Sequence, residues 1–375
     1  LSTASGNCRT NLCALCGSPT PNRSSTTHGL WVSPCYPAAM LPYFNPAGPC
    51  IPGDHYMLSP EPRFRHVMRL VDERKYFTLH AGRQTGKSTS ARWLVDQYNA
   101  GNRYRALWLD IQTAREQPDL TAAFRTILTK VELVLPMSWP EGPAIDKNDL
   151  LDDPGTCILR LLQQLAGASD RPLVVMVDEA DGLVGPAMVS FLTQLRDGYL
   201  SRSSIPFPQS MALIGMRQVR DYALSAEECR AVTWLGTTSP FNITAEATLE
   251  PFTRENVHEL LLQHTEHTGQ KWETATLDLI YDLSQGHPWL VNAMADQIVN
   301  RDVEDRSVTV TPAHVETAKE TIIRERRTHI DSLLARLRED RVRRVIEPML
   351  IGGQVTGDSM EDDFAYVMGL GLVTK

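Results

Sequence analysis

Residues 76–98 read YFTLHAGRQTGKSTSARWLVDQY, and this stretch changes character twice along its length. Its first five residues are mostly apolar or aromatic, which is typical of a buried strand. The loop that follows, at 81–88, carries two glycines, a lysine and a serine in close order. Beyond the loop, apolar residues recur at helical spacing until Gly101, a residue that favours the end of a helix. The stretch therefore predicts a strand, a short loop and a helix.

The loop AGRQTGKS matches the Walker A pattern, with Ala81 in place of the usual first glycine. Backbone N–H groups of such a loop point at phosphate oxygens, and the following helix adds the positive end of its dipole. Lys87 then reaches the β- and γ-phosphates, and the Ser88 hydroxyl ligates Mg²⁺. A surface loop that matches by chance is the alternative, but it would not bring this strand and helix with it. The predicted nucleotide-binding residues are Ala81, Gly82, Arg83, Gln84, Thr85, Gly86, Lys87, Ser88 and Thr89.

A second motif, PLVVMVDEAD at 172–181, has the form of a Walker B strand, an apolar run that ends in two acids. Ligands bind at the carboxyl ends of parallel strands, so Asp178 is expected beside Ser88, where it holds Mg²⁺. Glu179 is expected to orient and deprotonate an attacking water, which makes Glu179 and Lys87 candidate catalytic residues. By itself, an apolar run that ends in two acids often marks only a buried strand whose end is exposed to solvent. Together with the phosphate loop, the acidic pair favours hydrolysis of the nucleotide over simple binding.

The strand MALIGMRQ places Arg217 just beyond its end, where a cation contacts the γ-phosphate or, alternatively, caps a neighbouring helix. Arg217 is therefore the third candidate catalytic residue. No Asn-Lys-x-Asp guanine selector is found, and DKND at 146–149 does not fit that pattern. We therefore predict ATP, rather than GTP, as the nucleotide.

Strands and helices alternate from about residue 60 to residue 243, which predicts a mostly parallel sheet with helices on both faces. Beyond that point only amphipathic helical patterns follow. The predicted divisions are a disordered extension or misplaced start at 1–39, an αβ domain at 40–245, a lid-like helical domain at 246–327, and a helical region at 328–375. The segment PMSWPEGPAIDKNDLLDDPG is expected to be a loop or insertion.

Composition excludes several classes of protein. The 375 residues carry a net charge of −8, which gives no general attraction to nucleic acid or anionic membrane. No apolar run approaches the ~20 residues that span a bilayer, and the N-terminus lacks a signal-peptide pattern, so the cytoplasm is the expected location. Cys8, Cys13 and Cys16 cluster near the N-terminus, but their nearest further ligands, His28 and Cys35, do not complete a zinc pattern.

With its two Walker motifs, the sequence resembles the AAA+-like P-loop ATPases of the STAND group. Four stretches are more narrowly similar to bacterial AAA-like ATP-binding proteins: FNPAGPCIPGDHYMLSPEPRF, YFTLHAGRQTGKST, LEPFTRENVHELLLQHTEHTG and SQGHPWLVNAMA. The resemblance covers roughly residues 40 to 350 and implies a P-loop NTPase sheet of order 5-1-4-3-2, of the additional-strand, catalytic-glutamate type. It also implies an arginine beyond the fourth strand, matched by Arg217, and ATP-driven switching between closed and open forms.

The resemblance further implies that Pro288, in Gly286-His287-Pro288, packs near the adenine. The alternative needs no ligand, because Gly286 suits the end of one helix and Pro288 the start of the next. No trans arginine finger can be assigned, so assembly into rings of the AAA+ kind is not predicted.

The C-terminal stretch RERRTHIDSLLARLREDRVRRV interleaves arginines with acids. A solvated helix with i,i+4 ion pairs is favoured over a nucleic-acid surface. The tail DDFAYVMGLGLV resembles the start of a winged helix, so 328–375 is predicted as a helical region or part of a truncated winged helix.

We expect a slow, Mg²⁺-dependent ATPase that switches conformation, binds ATP and ADP and acts on an unidentified protein partner, with self-association left open. The alternative is a nucleotide-gated adaptor for protein or DNA with little turnover.

Overall fold

In the computed structural model, the residues whose structure is described are 41–117, 119–215, 244–325, 336–351, 361–369 and 373. The predicted extension at 1–39, the clustered N-terminal cysteines and the candidate Arg217 lie outside these residues.

Five parallel strands form one sheet in the order β2-β3-β4-β1-β5. The strands are β1 (Tyr76–His80), β2 (Arg105–Asp110), β3 (Leu173–Asp178), β4 (Ser210–Gly215) and β5 (Thr244–Thr248). Read from the opposite edge, this is the 5-1-4-3-2 order that the resemblance implied. The predicted P-loop NTPase sheet is confirmed.

The three central strands β1, β3 and β4 are buried at every residue, as continuous apolar runs in parallel sheets require. Successive side chains alternate between two hydrophobic clusters, with Tyr76 and Val175 in one and Phe77 and Met176 in the other. Because neighbouring residues of a strand point to opposite faces, these clusters lie on the two faces of the sheet.

Helices cover both faces of this sheet. They are α1 (Glu61–Asp72), α2 (Lys87–Ala100), α3 (Leu120–Ser138), α4 (Lys147–Leu151), α5 (Cys157–Ala168) and α6 (Gly185–Ser201). Phe64 of α1 and Leu94 of α2 pack in one cluster, while Phe124 of α3 and Phe191 of α6 pack in the other. Each such side chain contributes about 1.5–3 kcal/mol when fully buried.

The segment predicted as a loop after α3 contains more helix than expected. Helix α3 continues through Pro136 to Ser138. The short helix α4 follows, where the side chain of Asp146 accepts hydrogen bonds from the N–H groups of Asn148 and Asp149. The missed helix is only five residues long, too short to show helical periodicity in the sequence.

The second region is all helical. Its helices are α7 (Arg254–Thr268), α8 (Thr274–Ser284), α9 (Pro288–Gln297), which continues as a π-helical turn (Ile298–Asp302), and α10 (Pro312–Arg324). Phe44 and Tyr56, from the segment before α1, belong to the hydrophobic core of these helices. The residues at 41–58 therefore pack on the helical region, although they precede the αβ region in sequence.

Helices α11 (Asp340–Leu350) and α12 (Glu361–Gly369) pack on each other through a small cluster around Val342, Val345 and Val367. The arginines of α11 form ion pairs: Arg341 and Arg344 both contact Asp363, each at 2.8 Å. Among the described helices, none is long and apolar enough to cross a bilayer.

Candidate functional site

The phosphate loop leaves the carboxyl end of β1 and enters α2 through Gly86, which has a φ of 90°. A residue with a side chain rarely adopts this left-handed conformation, so the loop requires glycine there. Gln84 is also left-handed, with a φ of 58°. Ala81 is not among the positive-φ residues, and its methyl group packs on the cluster that contains Phe64. Alanine therefore fits the first position of the loop.

The ammonium group of Lys87 lies inside the loop. Its Nζ donates hydrogen bonds to the carbonyl oxygens of Ala81 and Gly82, both at 2.7 Å. Burial lowers the pKa of Lys87, and the negative charges of Asp178, Asp181 and Glu179 oppose that shift. A cation held by neutral carbonyls next to a loop of N–H groups is available for a phosphate oxygen, which is a stronger acceptor.

Asp178 ends β3 and is only 3% exposed. Burial raises the pKa of Asp178, while the nearby Ser88 hydroxyl and the Glu179 N–H, which donates to Asp178 at 3.0 Å, oppose the shift. The structure therefore brings together the hydroxyl and the carboxylate that were predicted as Mg²⁺ ligands. A hydroxyl and a carboxylate suit Mg²⁺, which prefers oxygen ligands and retains several waters and substrate phosphates. No group of three or more His, Cys, Asp or Glu residues that could hold a metal ion occurs in the described part of the chain.

Glu179, the predicted base, follows Asp178 in a left-handed conformation with a φ of 56°. Its Oε2 accepts a hydrogen bond from Nη2 of Arg115 at 2.7 Å. Burial and the charges of Asp181 and Asp178 raise the pKa of Glu179, and the Arg115 guanidinium opposes that shift. Sequence reasoning missed Arg115, which lies in the loop after β2.

Two further acids lie at this edge of the sheet. Asp110, the last residue of β2, is in register with Asp178 on β3, and its charge raises the pKa of Asp178. Asp181, three residues after Asp178, contributes to the potential at both Lys87 and Glu179. The strand order that the family resemblance implies already places β2 beside β3, so Asp110 could have been found from that order.

The loop is also contacted from outside the sheet. The Nη2 of Arg63, on α1, lies 3.2 Å from the carbonyl oxygen of Thr85. The Nε2 of His287, at the start of α9, lies 3.1 Å from the carbonyl oxygen of Arg83. The hydroxyl of Thr89 accepts a hydrogen bond from the N–H of Cys50 at 3.1 Å. The candidate nucleotide site is thus contacted by three parts of the chain outside the sheet: α1, the segment at 41–58 and the helical region.

A sequence model of the AAA-like domain matches residues 65–340, more than half of the chain. The chain belongs to the AAA-like domain family. No curated protein sequence matches it significantly.

Three solved structures are similar to this AAA-like domain. The Walker-type ATPase PABY2304 of Pyrococcus abyssi aligns with 87% of this chain and 93% of its own, at a TM-score of 0.56 and 14% identity. Cdc6p from Pyrobaculum aerophilum aligns with 70% of this chain and 66% of its own, at a TM-score of 0.46 and 14% identity. The RuvB Holliday junction branch migration motor of Thermotoga maritima aligns with 84% of this chain and 89% of its own, at a TM-score of 0.41 and 12% identity. At 14% identity, the first of these similarities shows the fold alone.

Pro288 is the first residue of α9 in this AAA-like domain, and Gly286, with a φ of 71°, lies in the turn before it. Gly286-His287-Pro288 therefore forms the junction between α8 and α9, as the ligand-free alternative predicts, and the adenine contact of Pro288 stays a prediction. Arg217 lies outside the described residues.

Proposed function

We propose that this AAA-like domain binds ATP with Mg²⁺ between the phosphate loop and the acidic end of β3, and hydrolyses it slowly. The observation that carries the proposal is the Lys87 ammonium held inside the loop by the carbonyls of Ala81 and Gly82, close enough to the end of β3 for the Asp178 carboxylate to act on its pKa. Residues from two separate motifs thus converge where a triphosphate and its metal would lie. Convergence of this kind is not expected of a chance match to a loop pattern.

The chemistry divides among four side chains. On binding, Lys87 turns from the carbonyls of Ala81 and Gly82 to phosphate oxygens, where an ionic hydrogen bond is stronger. Ser88 and Asp178 would hold Mg²⁺, which supplies charge neutralisation at the phosphates. Glu179 takes a proton from the attacking water once it has left Arg115. This last requirement favours slow turnover.

The same proposal includes a switch of the STAND kind. Contacts of α9 with the loop, and of the segment at 41–58 with Thr89, couple the helical region to nucleotide occupancy. Loss of the γ-phosphate removes contacts of Lys87 and Glu179, so the ATP and ADP states differ in interaction energy, as a ligand-driven change requires. Pro288 at the adenine and Arg217 at the γ-phosphate are part of this proposal, and so is an effector protein as the recipient of the switch.

Two variants test the function. Lys87→Ala is expected to weaken ATP binding at least about tenfold, because an ionic hydrogen bond to phosphate is lost. Glu179→Gln is expected to reduce single-turnover hydrolysis by about 10²–10⁴-fold while ATP binding persists. Lys147→Ala, which removes a lysine paired with Glu132 at 2.8 Å, is the matched control and should change neither measurement. Unchanged ATP affinity in Lys87→Ala would overturn the binding site, and unchanged hydrolysis in Glu179→Gln would overturn the assigned base.

A nucleotide-gated adaptor without turnover is the second candidate. The ion pair between Glu179 and Arg115 favours it, because a carboxylate held by a cation is a poorer base. ATP or ADP retained through purification, with no phosphate release in single-turnover experiments, would support the adaptor. A steep dependence of DNA binding on salt would indicate a nucleic-acid partner.

A further inference from the structure

Two carbonyl groups of the phosphate loop are held from outside. The Arg83 carbonyl accepts from Nε2 of His287 at 3.1 Å, and the Thr85 carbonyl accepts from Nη2 of Arg63 at 3.2 Å. A carbonyl oxygen only accepts hydrogen bonds, so the hydrogen of the His287 ring must lie on Nε2. The tautomer of this histidine is therefore determined by its partner.

Peptide geometry gives these outer contacts a consequence on the inner side of the loop. In a planar trans peptide the C=O and N–H groups point in opposite directions. The Arg83 carbonyl shares its peptide unit with the N–H of Gln84, and the Thr85 carbonyl shares its unit with the N–H of Gly86. Holding each carbonyl from outside therefore turns the N–H of Gln84 or Gly86 towards the opposite side. Donation to a carbonyl also polarises its peptide unit and strengthens the N–H as a donor.

His287 is held in place by its neighbours. The turn before it contains Gly286, with a φ of 71°, whose carbonyl accepts a hydrogen bond from the Phe252 N–H at 2.9 Å. A methyl group at Gly286 would lie 1.9 Å from the Phe252 carbonyl oxygen, so the two backbones pack too closely for any side chain. The His287 N–H donates to the Ser284 carbonyl at 2.9 Å. The backbone that carries the His287 side chain therefore moves with the helical region.

Arg63 reaches the same neighbourhood from α1. Its Nε donates to the Glu250 carbonyl at 2.8 Å, and its guanidinium lies 4.7 Å from the centre of the Phe252 ring. Burial lowers the pKa of Arg63 to about 10, so it remains charged at neutral pH. The contacts thus close a ring from Arg83 through His287, Gly286, Phe252 and Arg63 back to the loop at Thr85.

We propose that His287 and Arg63 are positioning residues that aim the N–H groups of Gln84 and Gly86 at a bound phosphate, and that His287 makes this aim depend on the position of the helical region. The proposal rests on the phosphate-binding role of the loop proposed above. It assigns the part of the coupling that runs through α9 to one side chain. Arg63 is the fixed support, since α1 packs on the sheet, and His287 is the part that moves with the helices.

The charges near the His287 imidazole suit its role as a positioning residue. Burial lowers the pKa of His287, and the cations Lys87 and Arg63 lower it further. A neutral imidazole orients the Arg83 carbonyl without adding a third positive charge that would compete with Lys87 for the phosphate.

The test is a set of ATP and ADP affinities for the full chain. His287→Ala is expected to weaken both about tenfold, because one loop amide loses its alignment with an ionic acceptor. His287→Gln retains an N–H donor at similar reach and should recover most of the affinity. His267→Ala removes a histidine whose Nδ1 lies 2.8 Å from the Gln263 carbonyl within α7, and it serves as the matched control with parental affinity. A purely structural role of His287 would give lower stability and no rescue by glutamine.

A second measurement addresses the coupling. In the parent chain, ATP is expected to slow hydrogen exchange both at the amides of 84–86 and in 286–292. In His287→Ala, protection from exchange should remain only in the loop.

Arg63→Lys keeps the charge but cannot hold the Thr85 and Glu250 carbonyls together, so it should also weaken ATP binding. Because both residues belong to one ring, the double variant should lose less than the product of the single effects.

The possible outcomes distinguish failure of the positioning role from failure of the proposed ATP-binding function. If the parent binds ATP and His287→Ala binds it equally well, the positioning role is wrong while the proposed function stands. Protection of 286–292 that survives in His287→Ala removes the coupling role. If the parent itself does not bind ATP, the proposed function and this inference both fail.

Discussion

The Nη2 of Arg115 lies 2.7 Å from Oε2 of Glu179, so the candidate base is ion-paired to the loop that follows β2. Both side chains are partly open to water, at 36% and 39% exposure. Exposed pairs contribute about 0–1 kcal/mol, which is little enough to break during turnover. The loops that carry them also contact each other, because the Glu116 N–H donates to the Gly182 carbonyl at 3.0 Å.

Removal of this cation should release the base. In Arg115→Ala, we expect single-turnover ATP hydrolysis to rise about two- to fivefold, since the carboxylate no longer has to leave a partner. ATP affinity should stay close to that of the parent chain. The measurement is phosphate release from preloaded ATP.

A matched control is available in α5. Arg160 pairs with Asp149 at 2.6 Å and is similarly exposed, at 38%, so Arg160→Ala removes a comparable ion pair and should leave hydrolysis unchanged. If Arg115→Ala instead slows hydrolysis, the guanidinium acts on the phosphates and does not restrain Glu179.

The segment before α1 should be essential to the helical core. Phe44 is fully buried among the helices, so Phe44→Ala is expected to cost about 3–5 kcal/mol in the free energy of unfolding. Leu41 is 58% exposed, and Leu41→Ala should cost less than about 0.5 kcal/mol. Denaturant unfolding measures both. Equal effects of the two substitutions would show that the segment does not stabilise the helical region.

Much of the site could be predicted because its parts are local in sequence. The strand, loop and helix at 76–98 follow one another without interruption, and the acids at 178–179 directly follow an apolar run. Each signal needs only consecutive residues and a known periodicity. The family resemblance then supplied the order of the strands.

The missed features depend on residues that are distant in the chain. Arg115 meets Glu179 only because β2 lies beside β3, and Phe44 joins helices that begin about 200 residues later in the sequence. Strand β5, with the sequence TAEAT, lies at the edge of the sheet, where Glu246 and Thr248 are exposed. An edge strand of this kind shows no continuous apolar run, so the sequence did not locate it.

Gly286 should tolerate no side chain. In Gly286→Ala, the new Cβ would lie 1.9 Å from the Phe252 carbonyl oxygen, so we expect a loss of more than about 3 kcal/mol in unfolding free energy. Gly269 has a similar φ of 78° with nothing within 4 Å of the added atom, so Gly269→Ala should cost about 1 kcal/mol. Chemical denaturation of both variants gives the two losses in unfolding free energy. Their difference measures the cost of the close contact with Phe252, because backbone strain is common to both variants. Similar losses would mean that the contact with Phe252 does not constrain the turn.

Asp96, on α2, should make stability depend on pH in an unusual direction. Burial raises the pKa of Asp96 from 3.8 to about 6, and the charge of Arg92 opposes the shift. Between these values the folded state binds more protons than the unfolded state, so the free energy of unfolding falls as pH rises through this window. Above pH 6 the folded chain carries the full cost of an ionised, half-buried carboxylate.

Asp96→Asn removes that cost without changing the shape of the side chain. At pH 8 the variant should gain about 1 kcal/mol in unfolding free energy, a value reduced for the partial exposure of the group. At pH 3 the gain should vanish, because the parent carboxyl is then protonated in both states. Asp305 provides a control of opposite sign, since hydrogen bonds from the Ser307 N–H and hydroxyl lower its pKa and Asp305→Asn should destabilise the chain at pH 8. A gain in Asp96→Asn that is independent of pH would show that ionisation of this residue is not its cause.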